Sequence, residues 1–404
     1  MVKPERRTKG DLIAAAAIVL AVILGGTLIW WNSDARATIS RPAQQPIPQL
    51  RVSHQVPVTL HQLWSATSAK TRRPIVAGSV VVTGDGHQID GRDPVTGASL
   101  WSYARDVDLC AVSSVYQYAV GVYPDPRGCG QVSTVDANTG QRGPARSSLG
   151  DPEVRLSSDG STVLSYGDSR LEQWRSDMVR MISYGYLDAP IKPGVPASPL
   201  CRLVSAAASP DSVAVMEACP KQTDMQLTLL KPAKEEDQPD IKRVNQPGVS
   251  VDSDAQVIAV AGTSVAVYVP TPSPSVNVID ETGSTIASTA LPRPATPVTA
   301  VTHSGGLITW YTGDSVVVLD ADGLRYKYTV SPQGNQAPIG PATVMAGELL
   351  VPVTSGYDTF DAETGEPLTH IALSRPVLNS PVVPAAAGST ILEQRGDQLV
   401  ALGQ

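Results

Sequence analysis

The sequence has little aromatic and little charged character. Of its 404 residues, 5% are aromatic, with a single Phe, and 17% are charged. The 38 acidic residues outnumber the 31 basic ones, which gives a formal net charge of -7. This balance argues against nucleic acid as the main partner, because phosphate backbones are bound by basic surfaces. Apolar residues make up 42% of the chain, which is enough for a large buried core.

Sequence motifs of metal-dependent, nucleophilic and phosphate-binding enzymes are absent. The chain has no His-Glu-x-x-His, Gly-x-Ser-x-Gly, Ser-x-x-Lys or Gly-x-x-x-x-Gly-Lys motif and no complete calcium-binding loop. Its five histidines lack the spacing of metal ligands and are interpreted as surface residues, and acidic pairs such as Asp106 with Asp108 are typical of turns. We therefore assign no catalytic, cofactor-binding or metal-binding residue, and the sequence argues against an enzyme.

Cysteine is scarce, and its placement is informative. None of the four cysteines precedes residue 110, which excludes a lipid-anchored cysteine near the N-terminus. None forms a Cys-x-x-Cys pair, which argues against a four-thiolate metal site. Cys110 and Cys129 are 19 residues apart, and Cys201 and Cys219 are 18 residues apart. We predict a disulfide within each pair, and hence an oxidising compartment.

Charge is absent from residues 12–31, which as a helix would be about 30 Å long and would match the hydrocarbon thickness of a bilayer. The preceding leader, residues 1–11, is basic, and this bias predicts a cytoplasmic N-terminus with the rest of the chain outside. The alternative is a cleaved signal peptide, because Ala35-Arg36-Ala37 resembles a cleavage site. The sequence favours an uncleaved, single-pass plasma-membrane anchor, because the apolar run exceeds the usual core of a signal peptide.

Residues 32–57 contain four prolines among mostly polar residues. Such a composition predicts an extended tether without a fold of its own, which could hold the following domain up to about 85 Å from the membrane. Residues 58–404 then remain as one extracytoplasmic domain.

A short polar turn that begins with Asp recurs five times within residues 58–404. In the first copy, Asp93 is followed by Thr96 and Gly97, and the next strand carries Trp101. Asp caps local backbone N–H groups and Gly accepts a positive φ, so each copy predicts a strand, a tight turn and a second strand. The other copies begin at Asp136, Asp280, Asp320 and Asp361 and have their glycines at Gly140, Gly283, Gly323 and Gly365.

The spacing of these turns predicts the architecture. The distance from Asp93 to Asp136 is 43 residues, that from Asp280 to Asp320 is 40, and the last turn, at Asp361, follows 41 residues later. These intervals are typical of four-stranded propeller blades. The 144 residues from the second turn to the third fit three blade steps, which leaves two degenerate blades in between.

The two ends of the domain complete the ring. The sequence finishes in a strand that contains Leu402 and has no fourth strand behind it, whereas residues 60–66, with Leu63 and Trp64, repeat the fourth strand that holds Trp101. We predict that this N-terminal strand closes the last blade, because closure removes open sheet edges. The predicted fold is therefore all-β, an eight-bladed β-propeller with one N-terminal transmembrane helix. Seven blades are the alternative.

The run Asp93-x-x-Thr96-Gly97-x-x-x-Trp101 resembles the repeat of the PQQ-like, or quinoprotein dehydrogenase-like, β-propeller superfamily. In that superfamily the outer-strand Trp docks on the neighbouring blade, so the resemblance implies this role for Trp101 and Trp64. Members that bind the quinone carry two adjacent cysteines and an acidic calcium site. This chain has no adjacent cysteines, so the resemblance implies the fold without the cofactor. The composition is similar to that of anchored actinobacterial propellers.

Two main classes of function remain. We favour a monomeric, non-catalytic scaffold that binds proteins of the cell envelope, similar in kind to the PQQ-like propellers of bacterial outer-membrane protein assembly. The alternatives are a membrane-bound PQQ-dependent oxidoreductase and a propeller that senses a glycan or small ligand in its central channel. Because loops carry recognition on repeat scaffolds, the expected contact surfaces are the insertions at 123–130, 187–199, 231–247 and 268–275.

Overall fold

The N-terminal part of the chain is helical. A computed structural model of the protein describes residues 8–31, 33–186, 201–235, 238–334 and 336–404. Helix α1 (Lys9–Trp31) is long and apolar enough to cross a membrane, and none of its residues is buried. It begins with a reciprocal cap, because Thr8 N donates to Asp11 Oδ2 at 2.8 Å and Asp11 N donates to Thr8 Oγ1 at 3.2 Å. The short helix α2 (Asp34–Ala37) follows.

The rest of the described chain forms eight antiparallel sheets, the blades of a propeller, which confirms the predicted fold and blade number. Strands β1 (Ile39–Arg41) and β2 (His61–Thr67) come first and join sheets formed by later strands. The first four blades are blade 1, β3 (Ile75–Ala77), β4 (Val80–Asp85), β5 (Gln88–Arg92) and β6 (Ser99–Ala104); blade 2, β7 (Ala111–Val115), β8 (Tyr118–Asp125), β9 (Gly128–Asp136) and β10 (Arg142–Ser147); blade 3, β11 (Arg155–Ser158), β12 (Thr162–Tyr166), β13 (Arg170–Arg175) and β14 (Arg180–Gly185); and blade 4, β15 (Arg202–Ala208), β16 (Val213–Ala218), β17 (Asp224–Lys231) and β18 (Asp240–Ser250).

The second half of the ring has the same order, with the first strand of each blade at the centre and the fourth at the rim. Its blades are blade 5, β19 (Gln256–Ala261), β20 (Ser264–Val269), β21 (Ser275–Ile279) and β22 (Thr285–Ala290); blade 6, β23 (Ala300–Ser304), β24 (Leu307–Tyr311), β25 (Val316–Asp320) and β26 (Tyr326–Val330); blade 7, β27 (Thr343–Met345), β28 (Glu348–Val353), β29 (Gly356–Asp361) and β30 (Pro367–Ala372); and blade 8, β31 (Val382–Ala387), β32 (Thr390–Arg395), β33 (Gln398–Gly403) and the N-terminal β2.

The core lies between the blades. Eight hydrophobic clusters are each shared by two neighbouring blades, including the pair formed by blades 8 and 1. The central strands of a blade are covered on both sides, so they are apolar on both sides, as in β25, where Val316, Val317 and Val318 are all fully buried. This explains why the strands show short continuous apolar runs and not a strict alternation.

The ring has two faces that carry different connections. The turn face holds the turns between first and second strands and those between third and fourth strands, which include all five Asp turns. The loop face holds the turns between second and third strands and the connections between blades. Backbone hydrogen bonds join neighbouring turns on each face: Ala137 N donates to Gln117 O on the turn face, and Leu109 N donates to Gly86 O on the loop face.

The ring is closed by chain segments from opposite ends of the domain. Strand β2 pairs antiparallel with β33, and His61 lies opposite Gly403. The register shifts between Gln62 and Trp64, so Leu63 falls in a bulge and packs against the last residues of β33. Blade 8 therefore consists of three C-terminal strands and one N-terminal strand.

The segment expected to be a free tether packs on the propeller, which corrects that prediction. Strand β1 pairs with β6 and adds a fifth strand to the outer edge of blade 1. Ile39 lies opposite Ala104 at the loop-face end of β6, and Arg41 lies opposite Ser102. The chain thus reaches the propeller at the loop-face rim of blade 1 and runs from there towards the turn face.

Residues 42–60, here called the strap, then cross the turn face from the boundary of blades 1 and 2 to blade 8. Ala43 and Ile47 pack against the core of blades 1 and 2, and Leu50 N donates to Ser79 Oγ at 3.1 Å. Leu60 is buried in the cluster of blades 7 and 8. Scattered apolar residues hold this segment on the propeller without regular secondary structure. Because they are few and follow no period, the proline-rich composition of the segment resembles that of a free tether.

Both predicted disulfides are confirmed. Cys110 is bonded to Cys129 and Cys201 to Cys219, and no cysteine is free in the described residues. The first disulfide ties the start of β7 to the β8–β9 hairpin, and the second ties the entry of blade 4 to the end of β16. Both lie at the loop face.

Candidate functional site

The Asp turns of the turn face are held by their own side-chain hydrogen bonds. Asp93 Oδ1 accepts hydrogen bonds from Val95 N at 3.0 Å and from Thr96 N at 2.7 Å, and Gly97 N donates to Asp93 O at 2.9 Å. Gly97 has a φ of 72°, a left-handed conformation that costs residues with a Cβ more than it costs glycine. The turns that begin at Asp136 and Asp361 repeat this set of bonds. The motif therefore builds a rigid turn.

These turns receive aromatic side chains from the outer strand of the preceding blade. Trp101 Nε1 donates to Ala137 O at 2.8 Å, and the side chain lies so close to Gly140 that a Cβ there would be 2.5 Å from Trp101 Cβ. Across the ring closure, Trp64 Nε1 donates to Pro94 O at 3.0 Å, and its ring covers Gly97. Glycine is thus required both by the backbone conformation and by the approach of the ring.

A third docking side chain is one that the sequence analysis missed. Tyr328 OH donates to Ala362 O at 2.8 Å, and its ring covers Gly365 of the next blade. Tyr328 stands eight residues after Asp320, the same offset that separates Trp101 from the start of its turn, so the offset was the available signal. The joint needs an aromatic ring with a hydrogen-bond donor at its edge, which Tyr supplies as well as Trp.

The turn of blade 6 corrects one predicted role. Gly323 does not adopt the positive φ; the next residue, Leu324, does, with a φ of 58°. Leu324 is fully buried in the cluster of blades 5 and 6 that also contains Trp310. Its burial offsets a backbone strain of roughly 1–2 kcal/mol. In blade 5, Gly283 has the expected positive φ, but it is covered by Val244 in place of an aromatic ring.

Three joints between blades are built differently, around a buried carboxylate near the loop face. Between blades 2 and 3, Glu172 pairs with Arg170, with Arg180 at 2.9 Å and with Arg146 at 3.5 Å, and Ser148 Oγ donates to it. Burial alone would raise the pKa of Glu172, but the charge of Arg170 and the hydrogen-bond donors together hold it below its ordinary value.

The joint between blades 7 and 8 has the same design. Glu393 is fully buried and accepts hydrogen bonds from Arg375 Nη2 at 2.6 Å, Arg395 Nε at 2.6 Å and Tyr357 OH at 2.6 Å. Burial alone would raise the pKa of Glu393, but Arg375 leads the groups that lower it. Burial and the nearby carboxylate raise the pKa of Tyr357 well above its usual value.

The joint between blades 3 and 4 uses a carboxylate with hydroxyl donors. Tyr184 OH donates to Glu217 Oε1 at 2.9 Å, and Thr228 Oγ1 donates to Glu217 Oε2 at 2.5 Å. Burial raises the pKa of Glu217, and these hydrogen bonds and the charge of Arg243 offset the rise only in part. The pKa of Glu217 is therefore raised, whereas the pKa values of the glutamates in the other two carboxylate joints are lowered.

The predicted contact insertions are distributed over both faces. The β8–β9 hairpin extends from the loop face, and its tip is fixed by a bond from Arg127 N to Asp125 Oδ1 at 2.7 Å and by the disulfide at its base. Residues 268–275, between β20 and β21, also lie at the loop face. The described part of residues 231–247 instead forms a turn-face connection and the first part of β18, and residues 187–199, 236 and 237 lie outside the described residues.

The first strands of the blades surround a central channel that contains two cavities. The larger cavity, of about 660 Å³, lies towards the loop face, and the smaller one, of about 290 Å³, lies towards the turn face. Arg73, Asp159 and His303 line both cavities and thus mark the place where they meet. The sequence predicts a surface position for His303, because spacing along the chain does not reveal which strand is central.

Charged groups meet at this junction without a direct ion pair. Arg73 Nη2 donates to Ser158 O at 2.9 Å, while the Asp159 carboxylate accepts hydrogen bonds from Ser161 and Thr162 in its own turn. The His303 side chain is exposed to the channel but is enclosed by the ring. This enclosure, aided by the charge of the nearby arginine, lowers the pKa of His303 to about 4, so its imidazole is neutral at pH 7.

A Ser-His-Asp arrangement lies on the outside of blade 7. His370 Nδ1 is 2.7 Å from Asp358 Oδ1, and His370 Nε2 is 3.4 Å from Ser355 Oγ. The adjoining cavity of about 340 Å³ is lined by the aspartate and the histidine but not by Ser355, which stands exposed in a turn. The hydroxyl therefore does not face a space in which a substrate could be held, and the arrangement lacks the enclosure that nucleophilic catalysis uses.

The fold and these sites define a class, the eight-bladed β-propeller with an N-terminal apolar helix. No family model and no curated protein matches the chain. Among solved structures, BamB from Moraxella catarrhalis is similar at 13% identity, with 86% of this chain and 100% of that chain covered and a TM-score of 0.52. The C-terminal WD40 domain of Sif2 is similar at 9% identity, with coverage of 87% and 99% and a TM-score of 0.54.

Sqt1 from Saccharomyces cerevisiae is also similar, at 11% identity, with 86% of this chain and 99% of that chain covered and a TM-score of 0.50. At such identities the likeness shows the fold alone. It supports the β-propeller class that the sequence resemblance indicated. That the chain is a membrane-anchored actinobacterial member of this class remains an expectation.

Proposed function

We propose that the protein is a membrane-anchored scaffold, a propeller held outside the plasma membrane that binds other proteins through its loop face. The observation that carries the proposal is the β8–β9 hairpin. Its exposed tip stands on a base that is tied to the inner strand by the disulfide between Cys110 and Cys129. A loop that is ordered before binding loses little conformational entropy when a partner docks, which favours a role in recognition.

The proposed topology rests on the N-terminal segments. Residues 12–31 would cross the bilayer, the basic leader 1–11 would stay in the cytoplasm, and the two disulfides fit an oxidising space outside. A cleaved signal peptide is the alternative for the same helix. Cleavage after Ala37 would leave β1 and the propeller intact, so N-terminal mapping of the mature protein separates the two topologies.

The packed strap changes the expected distance from the membrane. Eight residue steps separate Trp31 at the end of α1 from Ile39 in β1, and they span at most about 26 Å when fully extended. Because β1 joins the loop-face end of blade 1, an uncleaved anchor would hold that rim close to the bilayer. Partners would therefore be membrane proteins or proteins near the membrane surface, with an extracytoplasmic contact region.

Site-specific photo-crosslinking in intact cells tests the proposal. A photoreactive residue replaces Arg127 at the hairpin tip, and in a control it replaces Arg325 on the turn face; both side chains are exposed, by 53% and 80%, and both pair with an aspartate. We expect position 127 to capture one defined membrane or envelope protein that position 325 does not capture. Equal capture at both positions, or dye reduction by the purified protein with added PQQ and calcium, would contradict a loop-face scaffold.

A further inference from the structure

The central channel has a charge opposite to that of the whole molecule. The protein carries a formal net charge of -7, yet basic side chains outnumber acidic ones around the larger cavity. The charged residues that line it are Lys70, Arg72, Arg73 and Arg155 on the basic side and Asp159 and Asp397 on the acidic side. An acidic protein with a basic channel concentrates anions there, because the channel walls focus the field.

The two inner arginines of this cavity lack a carboxylate partner among the described residues. Arg73 donates one hydrogen bond, to Ser158 O, and Arg155 donates one weak hydrogen bond, to Val204 O at 3.4 Å, and lies over the ring of Tyr166. A guanidinium group has five N–H donors, so both side chains have donors left for a ligand.

The contrast with the buried arginines of the carboxylate joints shows that this arrangement is local. Arg170 and Arg375 are each paired with a fully buried glutamate inside the blade stack. Asp159 is the acidic group whose charge acts on Arg73, but its carboxylate accepts hydrogen bonds from Ser161 and Thr162 of its own turn. Asp159 therefore acts on Arg73 through its charge but forms no ion pair with it, and a bound anion would give this enclosed cation a direct partner.

We propose that the channel binds a small organic anion that carries carboxylate or phosphate groups, held by Arg73 and Arg155, with His303 as a neutral hydrogen-bonding partner. Guanidinium groups recognise both kinds of anion through paired hydrogen bonds. The neutral imidazole has one donor and one acceptor nitrogen and can bond either to the anion or to a hydroxyl group beside it.

The dimensions and the walls of the cavity fit a small molecule. Its volume of about 660 Å³ lies within the range of ordinary ligand sites. Small apolar side chains such as Ala207, Val257 and Ala259 line the wall beside the charged groups, which leaves room for the carbon skeleton of the ligand. The cavity lies towards the loop face, so this inference goes beyond the proposed binding of proteins at the hairpin and does not depend on it.

Titration calorimetry of the purified protein with three probes tests the site. Citrate represents carboxylates, inorganic pyrophosphate represents phosphates, and xylitol is the uncharged control. We expect citrate or pyrophosphate, but not xylitol, to bind to the wild-type protein, and the affinity to fall at least tenfold in Arg73→Gln and in Arg155→Gln. The matched control Arg325→Gln, on the turn face, keeps the wild-type affinity. Using two channel variants keeps the test valid if one of them fails to fold.

An independent readout is the titration of His303 followed by NMR. A bound anion favours the charged imidazolium, so we expect the probe that binds to raise the pKa of His303 from about 4 in the wild-type protein and not in Arg73→Gln. Binding of citrate alone assigns a carboxylate ligand, and binding of pyrophosphate alone assigns a phosphate ligand. Absence of binding by both anions, or equal binding by wild type and both channel variants, overturns the proposal.

Discussion

The turn face and the loop face contribute different chemistry to the joints between blades. On the turn face, the joints are aromatic rings that lie on glycines, as Trp101 lies on Gly140. Near the loop face, three other joints contain buried carboxylates such as Glu393, surrounded by arginine and hydroxyl donors. The loop face also has both disulfides and the larger cavity. The turn face thus serves the architecture, and the loop face carries the exposed hairpin on which the proposed recognition rests.

Deletion of β2 should have the largest effect, because it breaks the ring itself. Without residues 61–67, the edge of β33 and the apolar groove next to blade 1 are open to solvent. We expect loss of the cooperative unfolding transition, or aggregation, measured by circular dichroism during heating. The control is deletion of β1, residues 39–41, which removes only an added fifth strand and should leave the transition in place. An unchanged midpoint after deletion of β2 would contradict the closure of the ring by this strand.

Trp101→Ala should destabilise the turn face by roughly 3–5 kcal/mol, as expected for loss of a large buried aromatic side chain. Trp101→Phe keeps most of the ring but loses the bond from the indole N–H to Ala137 O, and it should cost about 1 kcal/mol. Urea unfolding of the purified propeller measures both. Equal losses for the two variants would show that the ring packing contributes nothing beyond the hydrogen bond.

Removal of the hairpin disulfide by Cys110→Ser together with Cys129→Ser should cost about 3 kcal/mol, the value expected for a closed loop of this length, 19 residues. The variant should also loosen the hairpin, so we expect weaker partner capture from position 127, whereas Trp101→Phe should leave capture unchanged. Urea unfolding and crosslinking yield are measured on the same preparations. Full capture without the disulfide would mean that the order it gives to the hairpin is not needed for recognition.

The carboxylate joints should make stability depend on pH, whereas the aromatic joints should not. The lowered pKa values of Glu172 and Glu393 stabilise the fold fully above the ordinary value of 4.5, and this contribution is lost as the pH falls below it. The raised pKa of Glu217 acts in the opposite sense, because its ionisation weakens the fold as the pH rises above 4.5. Each group contributes at most about 1.4 kcal/mol per pH unit.

Chemical unfolding at several pH values measures how the contribution of Glu393 to stability depends on pH. We expect the stability gap between wild type and Glu393→Gln to be widest at pH 7 and to narrow below pH 4.5, while the gap for Trp101→Phe stays constant. A gap for Glu393→Gln that does not change with pH would mean that the pKa of Glu393 is the same in the folded and the unfolded protein.

The same difference between the faces explains what could be predicted from the sequence. The Asp turns are local, because Asp93 bonds to residues two and three positions ahead, so their residues stand together in the sequence and their period gives the blade number. The carboxylate joints are not local. Glu393 meets Arg375 18 residues away and Tyr357 36 residues away, in another blade, and no short pattern marks such a group.

The strap and the channel escaped prediction for related reasons. The strap has no hydrophobic periodicity. Its few apolar side chains are buried only by contact with clusters on distant blades, as Leu60 is by the cluster of blades 7 and 8, and a local pattern does not show such contacts. The channel combines Arg73, which precedes the first strand of blade 1, with His303 in the first strand of blade 6, on another side of the ring. The repeat predicts that a channel exists, but not which side chains point into it.

The central claim, that the loop face binds partners while the turn face maintains the ring, is tested most directly by two matched charge reversals. Arg127→Glu alters the hairpin tip, and Arg325→Glu alters an Asp turn; each breaks one exposed ion pair with an aspartate. Each should change stability by no more than about 0.5 kcal/mol. With the photoreactive residue moved to the neighbouring exposed Pro126, we predict that Arg127→Glu lowers crosslinked partner in intact cells at least tenfold, with the thermal midpoint unchanged, and that Arg325→Glu lowers neither. Equal loss of partner in both variants, or loss only in Arg325→Glu, would contradict it.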